Sequence, residues 1–367
     1  MAAYPSSVRI ASRGQVRREG PHLVPHAMAF PSAMMSLRVL LGGEHRLHTL
    51  SAHGREWRSD EDYFLHLGLS GEGFRFLFDT AEYLRFQEED GAQPILDCFA
   101  AEAIPVSVWA ARPAAGVAGV WQDESALRTL VIDTLAQGCP ALVLGRTGSD
   151  WVLLATGYED GGGTLVAWTF APGADLSNKS FSPEDCQYVR DWARGVDGVA
   201  LVTGTPGDPV DRAPILRRAL ARGERFLRRA EGHPHGDPVD WYREWQGRLK
   251  DDAFWRGPFS GRPAVDPEIW DLAERRAFCA EFLEGAGEVL GTGALAPAVD
   301  AFREIHDLMW RIHHLCDGTH TDGEQVAHAL RDDAVRREIV GILKECRDRD
   351  ERAADAIAQA LAETASR

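Results

Sequence analysis

Lysine, asparagine and long apolar runs are what this sequence has least of. Lysine occurs only at Lys179, Lys250 and Lys344, and asparagine only at Asn178, so arginine carries nearly all the positive charge. With 40 basic against 56 acidic residues, the formal net charge is −16. Charge of that sign repels a phosphate backbone and an anionic lipid surface, so neither nucleic acid nor membrane is expected as a partner. No stretch approaches the ~18 apolar residues of a bilayer span. Arg9, Arg13, Arg17 and Arg18 are not followed by the apolar core of a secretory signal, so a cytoplasmic protein is expected. Residues 1–21 read as a basic tail or an ordered first strand.

Other absences narrow the chemistry. The six cysteines (Cys98, Cys139, Cys186, Cys279, Cys316 and Cys346) form no CxxC pair, which leaves zinc-ribbon and dithiol redox readings without support. Reduced, mostly buried thiols are expected of such a chain. There is no phosphate-binding Walker loop, dinucleotide fingerprint or HExxH pair, so no cofactor and no metal is expected. His306, Asp307, His313, His314, Cys316 and His320 tempt a metal reading. His306 and His313 are seven apart and share a helix face with Trp310. Without a paired ligand motif, they read as helix or contact histidines. Ser70 lies in Gly68-Leu69-Ser70-Gly71-Glu72, where Glu72 replaces the second glycine of a nucleophile elbow, so this is read as a structural loop.

What is present suffices for two domains: 367 residues, of which 44% are hydrophobic. Residues 138–168 carry the most information. They read as three consecutive strands, 141–145, 150–157 and 164–170, with a glycine-rich connection at 158–163. Before them, residues 31–41, 60–67, 94–101 and 122–137 have helical spacing, and 73–78 and 105–110 read as strands. Residues 198–203 form a last buried strand. Helices followed by an antiparallel-looking sheet predict an α+β domain. A Pro/Gly/Asp-rich break at 205–214 suggests a boundary, giving 22–207 as the first domain and 208–367 as an all-helical second. The second domain's expected helices are 215–229, 238–250, 267–290, 296–314, 323–346 and 351–363. Asp237-Pro238 and Asp266-Pro267 supply cap chemistry for two of them.

At residues 31–41 and 62–75 the chain resembles a known family. Ser36-Leu37-Arg38-Val39-Leu40-Leu41, the segment from Gly68 through Phe74 to Arg75, and Gly157-Tyr158-Glu159-Asp160 are similar to motifs of the butirosin-biosynthesis acyltransferase family. The resemblance implies a papain-like, C39-peptidase-like α+β domain followed by a helical domain. In that family a cysteine stands five residues before the leucine that opens the apolar stripe. Counting back from Leu37 gives Ser32. The family histidine stands just before the aromatic that opens the middle strand, and the residue before Trp151 is Asp150. Cys–His has become Ser–Asp.

That exchange bears on mechanism. A thiol at a helix N-terminus ionises readily, whereas a serine hydroxyl needs a general base. An aspartate is a weak base at neutral pH unless burial raises its pKa. Ser32 and Asp150 are therefore the catalytic candidates, each with a plainer reading beside it: Ser32 as a helix cap or pocket wall, Asp150 as a turn residue or a pocket acid. Phe30, Trp151, Tyr158, Phe74 and Arg75 are the expected ligand contacts. The leading expectation is a catalytically altered protein that binds a small-molecule, peptide-like or carrier-bound acyl ligand. An active acyl or amide transferase, cyclase or hydrolase is the alternative. A protein whose helical half docks a partner is a third reading, and a homodimer stays open.

Overall fold

The apolar runs at 141–144, 152–159, 164–170 and 198–202 are nearly continuous, which is the pattern of strands covered on both faces. The computed structural model describes residues 5–11, 28–44, 46–52, 55–76, 86, 89–145, 151–170, 186–228, 241–257, 266–316, 326 and 328–365. They divide into two compact units, Met1–Ser70 with Ala81–Ile215, and Gly71–Thr80 with Leu216–Arg367.

In the first unit the strands are β1 (Val8–Arg9), β2 (Leu47–Ala52), β3 (Arg55–Asp60), β4 (Val106–Ala110), β5 (Gly119–Val120), β6 (Ala141–Leu144), β7 (Val152–Glu159), β8 (Thr164–Phe170), β9 (Gln187–Arg190) and β10 (Gly198–Val202). The helices are α1 (Ala29–Leu40), α2 (Glu61–Ser70), α3 (Gln93–Ala101) and α4 (Glu124–Ala136). Among the described residues the main sheet runs β5-β4-β10-β6-β7-β8-β9, with β1 also on β7. Its pairings are antiparallel except β4–β5. β2 and β3 form a separate hairpin. The chain is thus of mixed α and β structure with a mixed sheet, compatible with the α+β expectation.

The two faces of the sheet follow from residue parity. Ala141 and Val143 of β6, Leu153 and Ala155 of β7, and Leu165 and Ala167 of β8 share a core with Leu127, Val131 and Leu135 of α4. Asp123 caps α4 by accepting from the Ala126 amide at 2.8 Å. Alternate residues such as Leu142, Leu154, Val166 and Phe170 are buried on the opposite face, the side taken by α1, which packs on β7 and β8. A bulge between Ala155 and Gly157 resets the parity of β7. Tyr158 consequently faces α4 together with Ala155. Gly157 is needed beside the bulge, because a Cβ there would lie 2.2 Å from the Val8 carbonyl oxygen. That close approach lets β1 pair and carries β7 through Glu159, two residues past the expected strand end; the turn is confined to Asp160–Gly162.

The second unit contains α5 (Ala213–Arg228), which opens at the unit boundary, α6 (Trp241–Lys250), α7 (Asp252–Arg256), α8 (Asp266–Leu290), α9 (Ala296–Leu315) and α10 (Asp333–Thr364). The break at 205–214 ends just before the boundary between the units, which falls after Ile215 rather than at 207/208. Thr203 and Gly207 donate to the Pro105 and Ala103 carbonyls at 2.9 and 2.8 Å, and Arg212 Nε to the Ala101 carbonyl at 3.2 Å, so it belongs to the first unit. Two expectations need correction. The break expected between helices 323–346 and 351–363 does not occur. The charges there pair at i,i+4, as Arg347–Glu351 does at 3.3 Å, and α10 runs on for 32 residues from its Asp332 cap. Of the expected strand at 73–78, residues 77–78 lie outside the described residues, and the part before them opens as a 3₁₀ turn at Glu72–Phe74, entered through Gly71 at φ +83°. Its carbonyls go to arginine side chains, not to a neighbouring strand. The caps expected at Asp237 and Pro238 lie outside the described residues.

Candidate functional site

The first turn of α1 is the site to which the sequence pointed. Its N-cap is Met28, extended at φ −84° and ψ 119° and without a side-chain cap. The Met28 amide donates to the Tyr63 hydroxyl of α2 at 3.2 Å, which satisfies it without solvent. Ser32 is therefore not a cap: it sits four residues inside the helix and is buried. Its Oγ donates to the Met28 carbonyl at 2.8 Å, and Ser36 Oγ donates in turn to the Ser32 carbonyl at 2.9 Å. Both hydroxyls bond back along their own helix. The Ser32 proton is thus held by a backbone carbonyl, and among the described residues no imidazole hydrogen-bonds to it.

The other expected contacts do not converge on Ser32. Phe30 lies two residues before it on α1 and is fully buried. Trp151 and Tyr158 pack with the α4-side core, the face opposite α1. The Tyr158 hydroxyl is buried without a hydrogen-bond partner among the described residues, so Tyr158 is a core residue of the bulged strand and not a pocket wall. Phe74 and Arg75 belong to the second unit. Asp150 lies outside the described residues, as does the sequon at Asn178.

The expectation missed a polar cluster in the first unit. Arg38 of α1 donates through Nη1 to Asp62 Oδ2 at 2.7 Å and through Nε to Glu102 Oε2 at 2.9 Å. Arg46 Nη2 pairs with Asp62 Oδ1. Arg212 Nη2 lies 3.7 Å and His66 Nε2 3.6 Å from Glu102 Oε1. Asp62 and His66 are one turn apart on α2, so both reach the same side. His66 is fully buried, and among the described residues neither of its ring nitrogens nor Glu102 Oε1 has a hydrogen bond. Burial, which outweighs the attraction of Asp62, lowers the His66 pKa to about 3, with Arg212, Arg38 and Arg46 adding to the shift. The imidazole is neutral throughout the physiological range. Enclosed as it is, it cannot exchange protons with a dissolved substrate; the ties between α1, α2 and the end of α3 are those of Arg38 to Asp62 and Glu102. A lone Arg38 in an apolar helical stripe, facing an Asp-x₃-His spacing, was the available signal.

The second unit buries a different set. Arg276 of α8 meets Asp350 of α10 with Nε–Oδ1 2.9 Å and Nη2–Oδ2 2.8 Å, and Tyr242 donates to Asp350 Oδ2 at 2.9 Å. Burial opposes the charge on Arg276, but Asp350 and Tyr242 more than offset it, and its pKa is raised. Tyr242 is pushed well above its usual value by burial and then by Asp350. On α9 the His306 Nε2 accepts from Trp310 Nε1 at 2.9 Å, and Trp270, Trp310 and His313 stack edge to face at 5.0–5.7 Å. His320 lies outside the described residues. Among the described residues no group of three or more His, Cys, Asp or Glu side chains is arranged to hold a metal ion, no cysteine is in a disulfide, and no helix is long and apolar enough to cross a membrane. No protein-family model matches the chain, and no curated protein sequence does.

Proposed function

We propose that this is a catalytically altered, papain-like relative of the butirosin-biosynthesis acyltransferases, with a helical second domain. On this reading it is a cytoplasmic protein that binds a small-molecule, peptide-like or carrier-bound acyl metabolite without forming a covalent bond to it. The carrying observation is the state of Ser32. It occupies the position at which the resemblance implies a cysteine, on a helix laid against two antiparallel strands. Its hydroxyl proton is engaged by the Met28 carbonyl at 2.8 Å. A nucleophilic serine must pass that proton to a base as it attacks. A carbonyl oxygen cannot take it.

Intact-mass analysis of the full chain after incubation with an activated aryl ester tests this reading. No Ser32-dependent acyl adduct is expected, and a non-hydrolysable acyl thioester analogue should bind by calorimetry. A stoichiometric adduct that disappears in Ser32→Ala would establish the active-transferase alternative instead. Absence of any binding would remove the ligand half of the proposal.

A further inference from the structure

The histidines of α9, which the function above leaves unused, are arranged around one bond. Trp310 Nε1 donates to His306 Nε2 at 2.9 Å, one turn back along the same helix. A ring nitrogen that accepts carries no proton, so the proton of this imidazole is on Nδ1. Nδ1 lies 3.4 Å from Asp307 Oδ1. The Trp310 ring in turn joins two helices. Near the end of α9, it meets Trp270, near the start of α8, edge to face at 5.0 Å. His313 lies 5.2 Å from the Trp310 ring and 5.7 Å from that of Trp270, and His314 lies 6.4 Å from Trp310.

An imidazolium has two N–H donors and no acceptor. The bond from Trp310 therefore exists only while His306 is neutral. Histidine is the side chain whose ordinary charge change falls between about pH 5 and 8. The His306 side chain is 20% exposed and that of Asp307 69%, so protons reach it from solvent, as they do not reach the enclosed His66. The charges around it are few. On α9, Asp307 favours the imidazolium, His313 is buried and His314 is exposed. Arg303, one turn before His306, is taken by Glu281 and Glu284 of α8 at 2.9 and 3.0 Å. Also on α8, Asp271 pairs with Arg275 at 2.7 Å, and Glu274 stands one turn beyond Trp270. From α10, Arg349 and Arg352 pair with Glu304 at 2.7 and 2.9 Å, and Glu338 with Arg311 at 2.7 Å.

We propose that His306 and Trp310 form a proton switch in the second unit: uptake of one proton at His306 Nε2 breaks the Trp310 bond and loosens the aromatic junction of α8 with α9, and loss of that proton restores both. The switch does not depend on the function proposed above. Edge-to-face contacts hold a ring less specifically than a directed hydrogen bond does, so the bond to His306 fixes how Trp310 faces Trp270. It is complete above the titration of His306 and lost as the pH falls through it. Asp307 gives the imidazolium a partner, so the protonated state is a second arrangement and not only a loss.

The test is a pH titration of the indole N–H resonances of the full chain carrying isotope-labelled tryptophan, with Trp310→Phe and Trp270→Phe identifying the two signals. Between about pH 8 and pH 5 the Trp310 signal should move upfield along a one-proton curve. Its protection from exchange should fall roughly tenfold, as for the loss of one hydrogen bond. The Trp270 signal should follow with the same midpoint. His306→Gln should hold both signals in place across the range, Asp307→Asn should move the midpoint to lower pH, and His314→Gln should leave the curve as it is. A Trp310 signal indifferent to pH, a curve that survives His306→Gln, or one that disappears in His314→Gln would overturn the switch. A Trp270 signal that does not follow would overturn the junction. Should His306→Gln not fold, the His306 Cε1–H resonance of the wild type must titrate with the Trp310 midpoint, and different midpoints would overturn the proposal equally.

Discussion

The two units bury their charges differently. In the second unit Arg276, Asp350 and Tyr242 are mutually satisfied: every guanidinium nitrogen of Arg276 and both oxygens of Asp350 have partners within 3.1 Å. In the first, Arg38, Asp62 and Glu102 are paired, but among the described residues His66 and one oxygen of Glu102 are enclosed without hydrogen bonds. Low dielectric strengthens a completed network and penalises an incomplete one. The second cluster is therefore a fastening, and the first is a tolerated cost that becomes sensitive to protons. The difference teaches that burial of charge by itself says nothing about stability; the completeness of the hydrogen bonding decides.

Arg276→Ala should produce the largest loss. It strands Asp350 as an unpaired buried charge and releases the carbonyls of Gly73 and Arg75, at a cost of roughly 3–5 kcal/mol. Urea denaturation followed by tryptophan emission measures it. A loss below about 1 kcal/mol would break the contrast between the clusters. Gly157→Val comes next. Its side chain must displace the Val8 carbonyl and with it β1, on the order of 1–3 kcal/mol, visible as faster hydrogen exchange at Ile10, whose amide bonds to the Thr156 carbonyl at 2.7 Å.

The pH dependence sharpens the comparison further. His66 titrates near 6.5 unfolded and about 3 folded, so the unfolded chain binds the extra proton between those values. Its contribution is fully present above pH 6.5 and lost as the pH falls toward 3. Between pH 7 and pH 5 the wild type should lose roughly 2 kcal/mol more than His66→Gln does, at about 1.4 kcal/mol per pH unit. Urea midpoints of both proteins at the two pH values decide; equal losses would mean that the imidazole is not confined as described. The smallest effect is expected for Ser32→Ala, about 1 kcal/mol or less, because only a back-bond along its own helix disappears.

Much of the secondary structure could be read in the sequence, because strong apolar patterning and punctuation fix it locally. The strands expected at 141–145 and 164–170 and the helices expected at 31–41, 94–101 and 122–137 correspond, within two residues at each end, to β6, β8, α1, α3 and α4. The misses have specific causes. Residues 73–76 alternate like a strand, yet the Gly73 and Arg75 carbonyls accept from Arg276, some 200 residues away. Residues 347–350 read as a break between two helices, but they continue one helix and Asp350 turns inward to Arg276. Tyr158 looked like a wall of a cleft until the bulge set it on the α4 face. The Ser32 position was reachable by counting along the chain. The partner of its hydroxyl was not.

The sequence by itself determined most of the helices and strands of the first unit's core, the acidic character of the chain and the absence of a thiol at position 32, since each is a property of residue type and local period. Tertiary structure alone decided which residues meet. Residues 71–76 leave the half of the sequence in which they are written, Ser32 and Tyr158 take opposite faces of one sheet, and His66 is enclosed with Glu102 at 3.6 Å. Those outcomes depend on contacts between residues far apart in the chain, whose free energy is gained only when the whole core closes around them.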